Sequence, residues 1–423
     1  MTIQERINNW VRQNQNNGIQ LLKKLIGEES VRGNEQKAQA VIIEKCRELG
    51  LTLDIFDIDV NEVKDHEFFS CDRKDFQDQP NVVAIWKGSG GGKSIILNSH
   101  IDVVPEGDRS NWTNPPFSPE IINGKCYGRG TTDMKGGTVS LLLAIEALKH
   151  LQIRLKGDVI FQSVIEEESG GTGTLATVLR GYKADGALIP EPTNLKLFPK
   201  QQGSMWFRIK VKGKSAHGGT RYEGVSAIEK AYKVIESLEE LEKTRNDRIS
   251  DPLYNGIPIP VPINIGKIYG GEWPSSVPDL VSVEGRIGVA PSEQGDKVKK
   301  ELREKIDALG EDDSWFKKNP PELEWFGGHW QSSDLPEGHE LLLALTSSYQ
   351  DMLHTQPIIQ ASPWGTDGGI LWKAGHIPVV IFGPGTTEVA HDSDEYIELE
   401  NMFQCAEVYA QMLVKWCGIS TEH

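Results

Sequence analysis

Two strand-like segments of this chain each end in side chains that can bind a metal ion. The run 95–99 is followed by His100 and Asp102, and the run 158–165 leads into three consecutive glutamates, 166–168. Adjacent like charges repel one another and are costly to hold near a protein interior, unless a cation is bound there. In open α/β sheets, functional groups gather outside the carboxyl ends of the strands. The pattern therefore predicts a metal site at the carboxyl edge of a sheet.

Two more element ends carry acids of the same kind. Asp133 precedes a helix predicted over about 135–149, and Glu191 follows a strand predicted over 186–189. Each has an ordinary alternative, because an aspartate before a helix is commonly an N-cap and an acid between prolines is commonly a solvated turn residue. The occurrence of all these groups at successive element ends favours a shared site.

The order of predicted elements indicates two domains. A chain of 423 residues is too long for one hydrophobic core. Strand and helix alternate up to residue 205 and again after 338, which is typical of an α/β domain with a mostly parallel sheet and helices on both faces. Around Phe207, apolar and polar residues alternate, as in an antiparallel sheet with one solvated face. We therefore predict a catalytic domain of residues 1–205 and 321–423, and an inserted α+β domain of residues 206–320.

Composition excludes several classes of protein. The formal net charge of −16 opposes binding to nucleic acid or to anionic lipid, and no apolar run reaches the length of a membrane span. The five cysteines are scattered, odd in number and form no C-x-x-C motif, so neither a disulfide framework nor a thiolate zinc site is expected. A cytoplasmic enzyme without a signal peptide fits these observations.

At this point the chain resembles a known family, the two-zinc hydrolases that include acetylornithine deacetylase, succinyl-diaminopimelate desuccinylase, aminoacylase and carboxypeptidase G. The resemblance extends over about 300 residues and is greatest to the acetylornithine deacetylase-like branch. The matching strings are SHIDVVP (99–105), GRG (128–130), DMKGG (133–137), EE (167–168), EPT (191–193), SAHG (215–218) and HDSDEY (391–396).

The resemblance implies a ligand set for two divalent cations, with Zn²⁺ the expected metal and Co²⁺ or Mn²⁺ as substitutes. Its members are His100, Asp133, Glu168, Glu191 and His391. Asp133 would bridge both cations, His100 and Glu191 would complete one site, and Glu168 and His391 the other. Asp102 would hydrogen-bond His100, and Glu167 would be the general base. A nitrogen and oxygen ligand set without thiolate suits these metals.

Some residue roles stay open at this level. A one-residue shift in the acidic triplet would make Glu166 the base and Glu167 a ligand. His217 would stabilise the tetrahedral oxyanion, or would be an ordinary turn histidine. Arg286 would bind a substrate carboxylate, or would form a surface salt bridge. Thr366 lies in a string that resembles the loop around the carboxylate end of the substrate.

The predicted function is hydrolysis of an amide bond that removes an acetyl-like N-acyl group from an amino acid or small amine. Alternatives on the same scaffold are a dipeptidase or carboxypeptidase and an N-formyl-amine deformylase. An alternative of another class is a catalytically inactive binding protein. The expected partners are a small N-acylated substrate and a second copy of the chain, joined through the inserted domain.

Overall fold

The helices and strands are defined here by a computed structural model, which describes residues 1–420. The α-helices are α1 (Ile3–Gln13), α2 (Gln15–Gly27), α3 (Gln36–Glu48), α4 (Val60–Val63), α5 (Gly136–His150), α6 (Thr172–Leu179), α7 (Ala227–Asn246), α8 (Gly295–Asp307), α9 (Leu309–Asp312), α10 (Ser314–Lys318), α11 (Glu340–Leu353), α12 (Gly368–Lys373) and α13 (Leu399–Cys417). A single π turn, Thr131–Lys135, precedes α5.

The strands, in chain order, are β1 (Thr52–Phe56), β2 (Asn81–Trp86), β3 (Ile95–His100), β4 (Glu120–Ile122), β5 (Lys125–Tyr127), β6 (Val159–Val164), β7 (Ala187–Ile189), β8 (Leu197–Gln201), β9 (Gly203–Lys212), β10 (Ala216–His217), β11 (Ile263–Gly270), β12 (Ser276–Val277), β13 (Leu280–Val289), β14 (Glu322–Trp330), β15 (Ser333–Asp334), β16 (Ile359–Ser362), β17 (Val379–Ile381) and β18 (Tyr396–Glu398).

The chain divides into two compact units. The first unit contains Met1–Lys200, Ser333–Ala361 and the residues from Thr366 onward, and the second contains Gln201–Ser332 with Ser362–Gly365. The second unit is wider than the range 206–320 expected from sequence. It extends further because β9 begins at Gly203 and because β14, which follows residue 320, pairs with β9.

The first unit is built on a nine-stranded sheet whose central strands follow the order β6-β3-β7-β17 and run parallel. β1, β2 and β8 flank this centre in antiparallel pairings. All residues of β3 and β6 are buried, which requires cover on both faces of the sheet. The predicted α/β class is confirmed, with antiparallel strands added outside the parallel centre.

The second unit contains a four-stranded antiparallel sheet in the order β11-β13-β9-β14. Along β9 the residues Phe207, Ile209 and Val211 are fully buried, whereas the intervening ones are half-buried. The buried face packs against α7 and α8 in one core, through residues such as Leu238 and Leu302. The predicted smaller α+β fold with an antiparallel sheet is thus confirmed.

Two structural findings concern membrane spans and disulfides. Across residues 1–420, none of the helices has the length and apolarity needed to cross a membrane. The five cysteines, all within that range, are unpaired.

Candidate metal centre

The predicted ligands gather at one edge of the first unit's sheet. His100 is the last residue of β3, the acids 166–168 follow β6, Glu191 follows β7, and His391 lies in the loop after β17. Because these four strands are parallel neighbours, their carboxyl ends meet at the same edge. Asp133 reaches the same place from the π turn before α5.

Asp133 lies at the centre of this group. Its Oδ1 is 3.1 Å from Nε2 of His100, and its Oδ2 is 3.4 Å from Nε2 of His391. Nε2 of His391 is also 3.2 Å from Oε1 of Glu168, and Nε2 of His100 is 3.8 Å from Oε1 of Glu191. The two carboxylate oxygens of Asp133 therefore face two different imidazoles, as a bridging ligand requires.

Two overlapping triplets have ligand atoms within 4.8 Å of one another: His100, Asp133 and Glu168, and His100, Glu167 and Glu191. The first triplet joins residues from both predicted cation sites. The second includes Glu167, the predicted base, so distance alone does not separate a base from a ligand at that position. The contact of Glu168 with His391 provides the distinction, because it assigns Glu168 to the His391 side.

The chemistry of the donor set fits a pair of divalent cations. Nitrogen and carboxylate oxygen donors without thiolate suit Zn²⁺ and its borderline substitutes. Among the residues that the structure describes, the basic side chains paired with Asp133, Glu168 and Glu191 are only His100 and His391. When all are ionised, these acids together with Glu167 carry four negative charges, which two divalent cations would balance.

Burial and mutual charge shift the pKa values across the site. Burial, together with the charge of Glu191, raises the pKa of Glu167 well above its usual value. Burial and the charge of Asp133 do the same for Glu191. Burial opposes ionisation of Asp133, but hydrogen bonds with His100 and His391 outweigh it, so the pKa of Asp133 is lowered. Clusters of this kind, with pKa values pushed apart, are typical of functional sites.

The two histidines are drawn toward the charged form. The charge of Glu168 is the main cause that raises the pKa of His391 to about 11. The pKa of His100 is raised well above its usual value, because its hydrogen bond with Asp133 and the charge of Glu191 outweigh the effect of burial. Without cations, protons shared among these groups stabilise the cluster. Cation binding therefore displaces protons.

The expected hydrogen bond between His100 and Asp102 differs in its acceptor atom. Nδ1 of His100 lies 2.8 Å from the backbone carbonyl oxygen of Asp102, and its carboxylate Oδ1 is 3.7 Å away. In the neutral ring, which is the form that binds a metal, donation to that carbonyl leaves the lone pair on Nε2, the atom that faces Asp133. The Asp102 carboxylate instead accepts from the backbone N–H groups of Glu167 at 3.3 Å and Glu168 at 3.1 Å. Asp102 thus connects the β3 end to the acidic triplet.

Glu166, the first acid of the triplet, has its own set of partners. Its carboxylate accepts from Arg73 Nη1 at 2.7 Å, from Arg32 Nε at 2.9 Å and from the Ser169 hydroxyl at 2.7 Å. Although burial opposes it, these contacts lower the pKa of Glu166. This pairing favours the register in which Glu167 is the base and Glu168 the ligand.

Glycines allow the ligand loops to approach one another closely. A Cβ at Gly137, at the start of α5, would lie 2.2 Å from the carbonyl oxygen of Pro190, the residue before Glu191. A Cβ at Gly130, where φ is +83°, would lie 2.5 Å from Cγ1 of Val103. The glycines of the GRG and DMKGG strings therefore have a packing role beside the metal ligands.

The substrate-binding candidates His217 and Arg286 lie in the second unit. His217 is exposed, and its Nδ1 accepts from the backbone N–H of Gly219 at 3.1 Å. Arg286 lies on β13 opposite Trp206, and its Nε and Nη2 are buried without a hydrogen-bond partner within residues 1–420. Burial lowers the pKa of Arg286.

Thr366 belongs to the first unit and is buried, and its hydroxyl accepts from the backbone N–H of Gly368 at 2.9 Å.

Asp367, the neighbour of Thr366, was not among the predicted site residues. Asp367 is 1% exposed and accepts from the Thr174 hydroxyl at 2.7 Å, and burial raises its pKa to about 6. Its charge also contributes to the raised pKa of Glu167. The position of Asp367 beside Thr366, in the string GTDG (365–368), was the sequence feature that could have identified it.

Comparison with known proteins identifies the family. A sequence model described as peptidase family M20/M25/M40 matches residues 96–415. N-formyl-4-amino-5-aminomethyl-2-methylpyrimidine deformylase of Bacillus subtilis (strain 168) is 32% identical over 429 residues, covering 96% of this chain and 95% of that protein. A probable succinyl-diaminopimelate desuccinylase of Staphylococcus aureus (strain N315) is 26% identical over 439 residues, covering 94% and 97%.

The fold is also found among solved structures. The dipeptidase Dug1p of Saccharomyces cerevisiae aligns with a TM-score of 0.79 at 15% identity, over 99% of each chain. The predicted family is confirmed by its sequence model and by the level of identity to the deformylase. The chain therefore belongs to peptidase family M20/M25/M40 and is a metal-dependent enzyme that hydrolyses amide bonds.

Proposed function

We propose that this enzyme removes a small N-acyl group from an amine or amino acid, with a formyl amide as the first candidate substrate. The observation that carries the proposal is the convergence of two histidines, His100 and His391, and two glutamates around Asp133, with Glu167 beside them. The formyl group is favoured over the acetyl group because the 32% identical relative is a deformylase. Acetyl removal, as in the deacetylase branch that the motifs resemble, is the second candidate.

The proposed ligands divide between two cations as the resemblance implies, with Asp133 shared. His100 and Glu191 would hold one cation, and Glu168 and His391 the other. When bound, such cations lower the pKa of a water molecule and polarise a carbonyl oxygen. Zn²⁺ is the first candidate metal, with Co²⁺ and Mn²⁺ as alternatives.

Glu167 is the proposed general base. Its carboxylate would accept a proton from the water whose oxygen attacks the acyl carbon. It would then deliver that proton to the amide nitrogen as the C–N bond breaks, giving a carboxylic acid and a free amine. The pKa of Glu167 is raised, first by burial, and this favours the proton transfer to the leaving amine that a general base must complete. The backbone hydrogen bond from Glu167 to Asp102 would hold this residue in place.

Two residues of the second unit are proposed to bind the substrate. Because Nδ1 of His217 accepts a hydrogen bond, its neutral ring carries the proton on Nε2. That Nε2–H would donate to the oxyanion that develops on the acyl oxygen. The unpartnered guanidinium of Arg286 would bind an anionic or strongly accepting group of the amine portion. Thr366 is proposed to fix the shape of the substrate-binding loop, because its hydroxyl accepts from the backbone N–H of Gly368.

A substrate panel tests the proposed reaction. The enzyme, reconstituted with Zn²⁺ or Co²⁺, would be assayed with N-formyl, N-acetyl and N-succinyl derivatives of the same small amines, and with dipeptides. We expect release of the free amine from the formyl compounds at the highest kcat/KM, and release ~10²–10⁴-fold slower by Glu167→Gln. Preference for dipeptides over every acylated amine would contradict the proposal and favour a peptidase.

We also propose that the enzyme is a homodimer formed through the second unit. β11 is one of the two edge strands of its sheet, and an exposed edge of this length can pair with another chain. Ile268 on β11 and Tyr232 on α7 are 54% and 65% exposed. Light scattering would show twice the chain mass, and the double variant Ile268→Lys/Tyr232→Glu would be monomeric. A strict monomer for the unaltered protein at micromolar concentration would contradict this.

A cytoplasmic location is part of the same proposal. Five unpaired cysteines, four of them buried, are typical of a reducing compartment. Fractionation of the native cells with an antibody would test it, and recovery outside the cytoplasm would contradict it.

A further inference from the structure

A buried ion pair joins the two loops that carry Asp133 and His391. Arg129 and Glu395 are 2% and 1% exposed, and Nη1 of Arg129 lies 2.7 Å from Oε2 of Glu395. Arg129 stands four residues before Asp133, and Glu395 stands four residues after His391. The pair therefore connects two chain segments that are more than 250 residues apart in sequence.

The carboxylate of Glu395 binds the backbone of the Asp133 loop through both of its oxygens. Oε1 accepts from the N–H groups of Thr132 at 2.8 Å and Asp133 at 3.2 Å. Oε2 accepts from the N–H of Gly130 at 2.9 Å, besides the guanidinium of Arg129. All four donors belong to residues 129–133, so Glu395 defines the path of the backbone that presents Asp133.

The guanidinium of Arg129 extends the connection to the other ligand loops. Nη1 donates to the carbonyl oxygen of Asp392 at 3.2 Å, and Nη2 donates to that of His391 at 3.4 Å. Nη2 also lies 3.5 Å from the carbonyl oxygen of Pro105, in the segment that follows His100 and Asp102. A planar guanidinium can make these contacts together, whereas a single ammonium cannot.

We infer that Arg129 and Glu395 are positioning residues that fix the separation of Asp133 and His391 before a cation binds. The inference rests on the proposed metal function. Neither side chain is a proposed ligand, and both act through the backbone of residues that are. Because His391 is a proposed ligand of only one cation, we expect the pair to affect the cation held by Asp133, Glu168 and His391 more than the one held by Asp133, His100 and Glu191. Groups that orient ligands in this way typically change metal affinity or activity by ~10–100-fold.

Cobalt titration of the metal-free, full-length protein tests this role. In Glu395→Gln, an amide replaces a carboxylate, so its NH₂ group must face either the backbone N–H groups or Arg129. We expect one of the two Co²⁺ equivalents to bind ~10–100-fold more weakly, by calorimetry and by the Co²⁺ absorption bands. The other equivalent should change much less. Arg129→Lys, which keeps the charge but not the planar fork, should give a smaller loss at the same equivalent.

Glu146→Gln is the matched control. Glu146 on α5 forms a partly buried ion pair with Lys45 on α3, at 2.8 Å, and neither residue is a proposed ligand. The Glu146→Gln variant should bind both Co²⁺ equivalents with the affinities of the unaltered protein. Unchanged affinities in folded Glu395→Gln would overturn the inference, as would an equal loss in Glu146→Gln. If Glu395→Gln does not fold, Arg129→Lys decides by the same criterion. Failure of the unaltered protein to bind any divalent cation would instead refute the proposed function, and this inference with it.

Discussion

Two sets of buried carboxylates lie close together in the first unit, and their partners differ. Glu166 accepts from Arg32 and Arg73, and Glu395 accepts from Arg129. By contrast, the basic side chains paired with Asp133, Glu168 and Glu191 are histidines throughout the part of the chain that the structure describes. Arginine carries a permanent charge, whereas a neutral imidazole is a ligand.

The difference shows how one sheet edge can hold many acids. A carboxylate in a dry interior costs several kcal/mol unless an opposite charge and hydrogen bonds compensate it. Where arginine supplies that charge, the acid is a structural group with its pKa held down, as for Glu166. Where only imidazoles supply it, a bound cation would complete the charge. Glu166 and Glu168, two residues apart in sequence, are thus expected to have opposite roles.

The largest expected effect follows from removing the shared ligand. In Asp133→Asn, an amide oxygen and an NH₂ group replace the two oxygens that face His100 and His391. We expect both cation equivalents to be lost and kcat/KM to fall on the order of 10⁴-fold or more, because bound cations lower the activation barrier by several kcal/mol. Metal analysis by mass spectrometry and amine-release kinetics measure this. Asp54→Asn, at the surface pair with Arg180, is the control and should retain both cations.

Glu167→Gln should give the next largest effect. It keeps size and burial but cannot accept a proton, so kcat should fall ~10²–10⁴-fold while both cation equivalents remain. Metal content and kcat are measured on the same preparation. Full activity would refute the base assignment, and loss of one cation equivalent would make Glu167 a ligand.

Glu166→Gln should lower stability more than it lowers activity. Removing the charge leaves Arg73 paired with Glu35 and Arg32 paired with Asp72, so the loss is partial and should lower the free energy of unfolding by about 1–3 kcal/mol. The loss of kcat should be far smaller than in Glu167→Gln. Urea unfolding of the metal-free protein and steady-state kinetics test both parts. The reverse ranking of the two variants in kcat would favour the shifted register, with Glu166 as the base.

The comparison also explains what the sequence could predict. The proposed ligands His100, Glu168 and Glu191 end or follow strands of a parallel centre, so strand endings alone bring them to one edge. The partners of Glu166 could not be predicted in this way. Arg73 lies in an irregular segment and Arg32 between two helices, and no periodic pattern relates either one to β6.

Two further differences have local causes. The resemblance implied that Asp102 would hydrogen-bond His100, and the acceptor in the structure is the backbone carbonyl oxygen of Asp102, a group that every residue carries. The second compact unit continues past residue 320 into β14, which contains a bulge between Trp325 and His329. Its Gly327 and Gly328 interrupt the alternation that reveals a strand.

The cost of burying a charge also predicts a smaller, pH-dependent effect on the stability of the second unit. His329 on β14 is half-buried, and burial lowers its pKa to about 4, with a smaller contribution from the charge of Lys299 and an opposing one from Asp296. In the unfolded chain its pKa is near ~6.5. Between these values the unfolded state binds the proton more strongly, so stability is present above the unfolded pKa and is lost as the pH falls toward 4.

That loss amounts to at most about 3 kcal/mol for this histidine. His329→Gln, which can still hydrogen-bond Gln331, should therefore flatten the dependence of the unfolding free energy on pH between 7 and 4.5. Urea unfolding of the metal-free protein at several pH values gives the two curves. His150, which is exposed on α5, provides the matched control, since His150→Gln should leave the curve parallel to that of the unaltered protein. If His329→Gln also gives a parallel curve, burial of this imidazole in its neutral form does not contribute to acid sensitivity. The charge contrast would then apply only to the metal-site edge of the first unit.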